Sequence, residues 1–261
     1  LVPRHTPGYR VVRDIGMVTG YQIGGHAEIL LQDCEVPGDA VLGEVGRGLH
    51  HAQLRLEPAR LLHCMRYIGR ARRALETAQA YVRERTSFGS RLADLQQIQA
   101  MVADSHIELH ASRLMTLECA DRLDAGLPVK QQSAMAKVFV SETVNRVADR
   151  AVQMMGASGL SEDTPVSMIW QELRPFRIYD GANELHRATL ARRWADDGRV
   201  GEAIALLQAH LPEVERTGYS RMIGEMHSLL GELLLKQGDV QGAQQHAQAA
   251  VAQSAGIASS L

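Results

Sequence analysis

Aromatic residues make up only 4% of the 261 residues, with two Trp and three Phe. A fold held by large aromatic clusters is therefore not to be expected, and aliphatic stripes must supply the core. The three cysteines, Cys34, Cys64 and Cys119, are odd in number and widely spaced. They speak against a disulfide framework and for reduced thiols in a cytoplasmic compartment. No apolar run approaches the ~20 residues needed to cross a bilayer, and no secretory leader is visible. The net charge of −2 leaves no basic footprint for nucleic acid or a membrane surface. No metal-ligand spacing occurs either, since His50 and His51 are adjacent rather than one helical turn apart.

What is present changes character along the chain. Residues 1–44 read as strands and turns, with a strand candidate at His26–Leu31 and turn chemistry at Val36-Pro37-Gly38-Asp39. So few short strands do not make a stable sheet alone, so this stretch reads as the remnant of a β-domain. From Gly48 helical periodicity takes over, filling about 47–84, 93–125, 131–156 and 183–196, with a short run near 165–171. The second run carries Leu95, Ile98, Val102, Leu109, Leu114 and Leu117; the third carries Met135, Val138, Val144, Val147, Ala151 and Met155. Both stripes are read as core. Pro58 inside the first run predicts a kink or a late start. Long helices joined by short breaks predict an up-down four-helix bundle over 45–196.

Residues 197–261 differ again, rich in Ala and Gln. Leu230, Gly231, Leu234, Gly238, Ala243 and Ala250 fall at the spacing of one tetratricopeptide unit, and Gly198, Ala203 and Leu207 resemble half of a preceding one. A plain helical hairpin explains the same residues. One and a half units bury no continuous core, so the tail must lean on the bundle, bind a partner or move freely.

Four features carry chemistry. Asp180 follows Tyr179 and precedes Gly181, Ala182, Asn183 and Glu184, with Asn183 read as an N-cap and Glu184 in the first helical turn. A carboxylate at the mouth of a helix, beside backbone that glycine makes approachable, suits a general base; Asp-Gly alone is also a common turn. Arg85-Thr86-Ser87-Phe88-Gly89, with Gln96 eleven residues after Arg85, offers fixed donors and a flat ring, or simply a basic helix end. Gln153-Met154-Met155-Gly156-Ala157-Ser158-Gly159 supplies small residues that let backbone approach a ligand, or a helix C-cap. Glu57-Pro58-Ala59-Arg60 puts an arginine on a helix, beside a cleft or on the surface.

The order of these features resembles the acyl-CoA dehydrogenase family. The likeness runs from about Pro3 to Ala195 and includes Thr6-Pro7-Gly8, Glu35-Val36-Pro37, Leu42-Gly43 and Gly46-Arg47-Gly48. The subgroup resembled has Asp where most members carry Glu, and His63-Cys64-Met65-Arg66 in the first long helix. The resemblance implies FAD-dependent α,β-dehydrogenation of an acyl-CoA thioester in fatty acid metabolism. Asp180 would take the α-proton and flavin N5 the hydride. By motif match, Arg85, Phe88, Gln96, Gln153, Met154, Met155, Gly156 and Ala157 would contact a neighbouring subunit's FAD. Ala182, Asn183 and Glu184 would contact the subunit's own, and Glu57, Pro58, Ala59 and Arg60 would line the acyl-CoA channel with Gly181 beside the substrate. Some branches place the base on the first long helix at the position of Ala59; alanine excludes that here. An electron-transferring flavoprotein as electron acceptor and a homodimer or homotetramer are implied as well. The family's N-terminal domain and the first half of its middle domain have no counterpart in the sequence, so the expectation is part of a larger enzyme. The alternative is a non-catalytic helical assembly or partner-binding module.

Overall fold

A computed structural model describes residues 1–19, 25–218 and 220–258. The chain is mainly α. It divides into two compact units, Leu1–Arg113 with Thr143–Phe176, and Leu114–Glu142 with Arg177–Leu261.

The first unit opens with β1 (Tyr9–Ile15) and β2 (His26–Leu31), an antiparallel ribbon in which Tyr9 faces Leu31 and Ile15 faces His26. The strand expected at His26–Leu31 is there; residues 20–24 of the expected strand-and-turn stretch lie outside the described residues. Helix α1 (Gly48–Glu84) follows. It runs through Pro58 without a break, so the expected late start does not occur. Leu54 and Pro58 are both exposed, and water can serve the Leu54 carbonyl that proline leaves unbonded. Leu61, Cys64, Ile68, Ala71, Leu75, Ala78 and Val82 are buried at alternating three- and four-residue steps, which is one continuous helix face. A tight hairpin, β3 (Thr86–Ser87) with β4 (Ser90–Arg91), then leads to α2 (Gln96–Asp124). The unit is completed by the later part of α3 (Lys130–Met155), the short α4 (Ala157–Leu160) and α5 (Val166–Leu173). Tyr67 of α1 packs its ring 4.9 Å from that of Phe176, and buried Glu172 accepts from Arg70 Nε at 2.6 Å.

The expected stripe of α2 is corrected. Leu114 and Leu95 are exposed, and the buried seam is Ser105, Leu109, Ser112, Thr116 and Cys119. Small hydroxyls bury cheaply in a helix because they can bond a carbonyl one turn back, as Ser105 Oγ does to Met101 O at 2.6 Å. The stripe of α3 also shifts at its start. Met135 and Val138 are half-buried, whereas Ser133, Lys137, Val140, Val144, Val147, Ala151 and Met154 form the buried seam.

The second unit contains α6 (Asn183–Asp196), α7 (Val200–Thr217), α8 (Ser220–Gln237) and α9 (Val240–Ala258). The tail is thus the helical hairpin α8–α9 with α7 ahead of it. It leans on α6: Ala188, Ala191 and Ala195 share one core with Ala203, Ile204, Leu207, Met226, Leu230 and Leu233. A Cβ on Gly231 would lie 3.2 Å from the Ala243 carbonyl oxygen and 3.5 Å from Ala247 N. The absence of a side chain at 231 and the small one at 247 therefore let α8 and α9 approach closely.

Candidate active site

The second unit holds Asp180 and its neighbours. Asp180 has φ 56 and Gly181 φ 96, so two successive residues lie in the left-handed region immediately before α6. Aspartate tolerates that region better than most side chains. Glycine is required next to it, because a Cβ on Gly181 would stand 2.9 Å from His186 Nε2. Both main-chain carbonyls of the turn are tied. His186 Nε2 lies 3.2 Å from Asp180 O, and Lys137 Nζ donates to Gly181 O at 2.7 Å.

Asn183 is not the helix cap. Ala182 occupies that position, with extended backbone and no side-chain cap bond, and Asn183 is the first helical residue. Its side chain turns inward and is fully buried. Oδ1 accepts from Lys137 Nζ at 2.7 Å and from Ser141 Oγ at 3.0 Å, while Nδ2 donates to Glu142 Oε1 at 2.6 Å. Those partners compete with the cap and win because an Asn amide buried here must satisfy both its ends. Glu142 is in turn bound by Arg177 Nε at 3.0 Å. Glu184 stands in the first turn of α6 as expected, 3.9 Å from Arg187.

Local sequence pattern does not single out Lys137, Ser141, Glu142 or His186. A signal for the lysine existed: it interrupts an otherwise apolar or small seam at helical spacing, where an ammonium is costly unless it serves fixed acceptors.

The remaining residues belong to the first unit. Glu57, Ala59 and Arg60 are half-buried and Pro58 exposed on α1. Arg85 and Gln96 are exposed, and Phe88 is 98% exposed at the hairpin tip with φ 54. Gln153, Gly156 and Ala157 are exposed, Gly156 with φ 58, whereas Met154 and Met155 are buried. Those two methionines can therefore offer a ligand only their main chain. The α3–α4 junction at Gly156 and the Arg85 hairpin meet around Tyr81: its carbonyl accepts from Arg85 N at 2.9 Å, and its hydroxyl lies 3.5 Å from Ser158 Oγ of α4. Arg60 and Arg85 are separated by 25 residues of α1, roughly 38 Å at 1.5 Å per residue. The two groups therefore stand far apart along α1.

The fold and site define a class of helical module that carries an aspartate in a left-handed turn immediately before a helix. Comparison with known proteins makes that class specific. The model of the acyl-CoA dehydrogenase C-terminal domain matches residues 46–195. The chain is 38% identical over 198 residues to acyl-CoA dehydrogenase family member 11 of Gallus gallus, covering 74% of this chain and 25% of that protein. It is 38% identical over 194 residues to the probable acyl-CoA dehydrogenase FadE2 of Mycobacterium tuberculosis, covering 74% and 48%. Its fold matches butyryl-CoA dehydrogenase from Megasphaera elsdenii with a TM-score of 0.69 at 29% identity, over 74% of this chain and 50% of that one. The chain belongs to the acyl-CoA dehydrogenase family, and its helical bundle is that of the family's C-terminal domain. It spans between a quarter and a half of the length of these two curated relatives.

Proposed function

We propose that this chain is the C-terminal part of an FAD-dependent acyl-CoA dehydrogenase, with Asp180 as the base that removes the α-proton of the thioester. The observation that carries the reading is the Asp180–Gly181 turn, whose two carbonyls are fixed by His186 and Lys137. A base whose main chain is held starts from one backbone position, and orientation supplies much of the rate of such a transfer. Gly181 would stand beside the substrate. Exposed Arg85, Gln96, Gln153 and the Phe88 ring fit the outer part of a dinucleotide presented by a second copy. Such a site shared between subunits would make the protein a homodimer or homotetramer. Ala182 to Glu184 would hold the same group within the subunit. When bound, FAD would supply the hydride acceptor for the β-carbon. Glu57 to Arg60 would line the channel for the acyl-CoA, electrons would pass on to an electron-transferring flavoprotein, and the protein would work in the cytoplasm. Asp180→Asn should abolish turnover while leaving the flavin absorbance of the purified protein unchanged; retained turnover rejects Asp180 as the base.

A second reading, a partner-binding module, has one observation in its favour: α8 and α9 leave Leu235, Val240 and Val251 exposed along one groove. Leu235→Glu with Val240→Glu should then release a partner that co-purifies with the wild type. A partner retained by this variant removes the reading.

A further inference from the structure

We propose that Lys137 is a positioning residue for the Asp180 turn: its buried ammonium ties the Gly181 carbonyl to the Asn183 side chain across Ala182 and so sets the backbone from which the carboxylate projects. The proposal rests on the reading of Asp180 as the base. Lys137 is fully buried on the seam of α3, between Ser133 and Val140. Nζ bonds Gly181 O and Asn183 Oδ1, each at 2.7 Å. One cation thus bridges the last residue of the left-handed turn and the first residue of α6.

The neighbouring groups serve the same end. Ser141, one helical turn after Lys137, gives Asn183 Oδ1 a second donor at 3.0 Å, and Glu142 takes Nδ2. Three residues of α3 therefore hold one amide in a single orientation, with acceptor and donor ends distinguished by their partners. Asp180 itself pays a conformational cost for its left-handed backbone, and such a residue stays there only when its surroundings over-determine it. His186 fixes one carbonyl of the turn from α6; Lys137 fixes the other from α3. A methionine of similar length would fill the seam at less desolvation cost but would leave Gly181 O and Asn183 Oδ1 without this donor. Filling the seam is thus not what the ammonium adds; fixing the turn is.

The test is carried out by NMR on the full chain labelled with 15N and 13C. In the wild type, a scalar correlation across the hydrogen bond should link Lys137 Nζ to the Gly181 carbonyl carbon; a visible Lys137 ammonium signal without it overturns the proposal. In Lys137→Met, the amide and carbonyl signals of Asp180 to Asn183 should move, while those of Leu229 to Leu234 in the same unit stay. Unmoved turn signals overturn the proposal. Shifts spread evenly through the unit also overturn it, because they report a lysine that merely supports packing. If Lys137→Met does not fold, the wild-type correlation decides. Turnover retained by Asp180→Asn sinks the base reading and leaves the placement intact; an unmoved turn in Lys137→Met does the reverse.

Discussion

The Nδ1 atoms of His227 on α8 and His246 on α9 stand 2.8 Å apart, so one ring must donate the proton that the other accepts. His227 Nε2 also lies 3.4 Å from Glu215 Oε1 of α7. Two protonated imidazoles cannot keep this contact, since both Nδ1 atoms would then be donors.

Two histidines, His246 and His210, make stability depend on pH. His246 titrates below the ordinary histidine value, chiefly because it is partly buried and next because His227 is near, with Glu215 opposing. His210 is lowered too, first by burial and then by Arg187, against Glu213, Glu184 and Glu142. The unfolded chain therefore takes up protons first as pH falls through about 6.5. Stability is whole above that value and declines below it. The Tm should be lower at about pH 5.5 than at about pH 7.5, and His246→Gln should reduce the difference without abolishing it, because His210 remains. An equal pH dependence in the variant would rule out His246 as a contributor.

Gly181→Ala should destabilise the second unit by about 1–3 kcal/mol. The new Cβ meets His186 Nε2 at 2.9 Å, and φ 96 is unfavourable for alanine even without that contact. Urea titration followed by circular dichroism measures the loss.

Leu207→Ala removes a fully buried side chain from the core that α7 shares with α6 and α8. The expected loss is about 2–5 kcal/mol. Because Ala188, Ala191 and Ala195 belong to that core, hydrogen exchange should quicken in α6 as well as in α7. Quickening confined to α7 would show that the two helices open separately.

Phe88→Ala should change Tm little, within about 0.5 kcal/mol of stability, because the ring touches almost nothing in its own chain. If the ring faces a neighbouring subunit's cofactor, the same variant weakens flavin retention, read as absorbance after gel filtration.

Much of the helical layout could be read directly. The breaks at Ser87–Ser90 and Ala125–Pro128, and the bounds near 84, 155 and 183–196, follow from glycine, proline and periodicity, which act over a few residues; the break expected over Gly156–Gly159 narrows to Gly156, since Ala157–Leu160 is helical. The Asp180–Gly181 turn was legible for the same reason. The core faces of α2 and the start of α3 were not. Counting apolar residues favours Leu114 over Ser112 and Val138 over Lys137, whereas burial depends on what a polar atom can bond once inside.

The amino-acid order by itself determined the helices and the family likeness, since each rests on local spacing or on residue type. Only tertiary structure decided that Asn183 faces inward rather than capping α6, that a lysine 44 residues before Gly181 holds its carbonyl, and that the tail shares a core with α6. Those are contacts between segments distant in sequence, and no local pattern encodes which buried donor meets which acceptor until packing has set the distances.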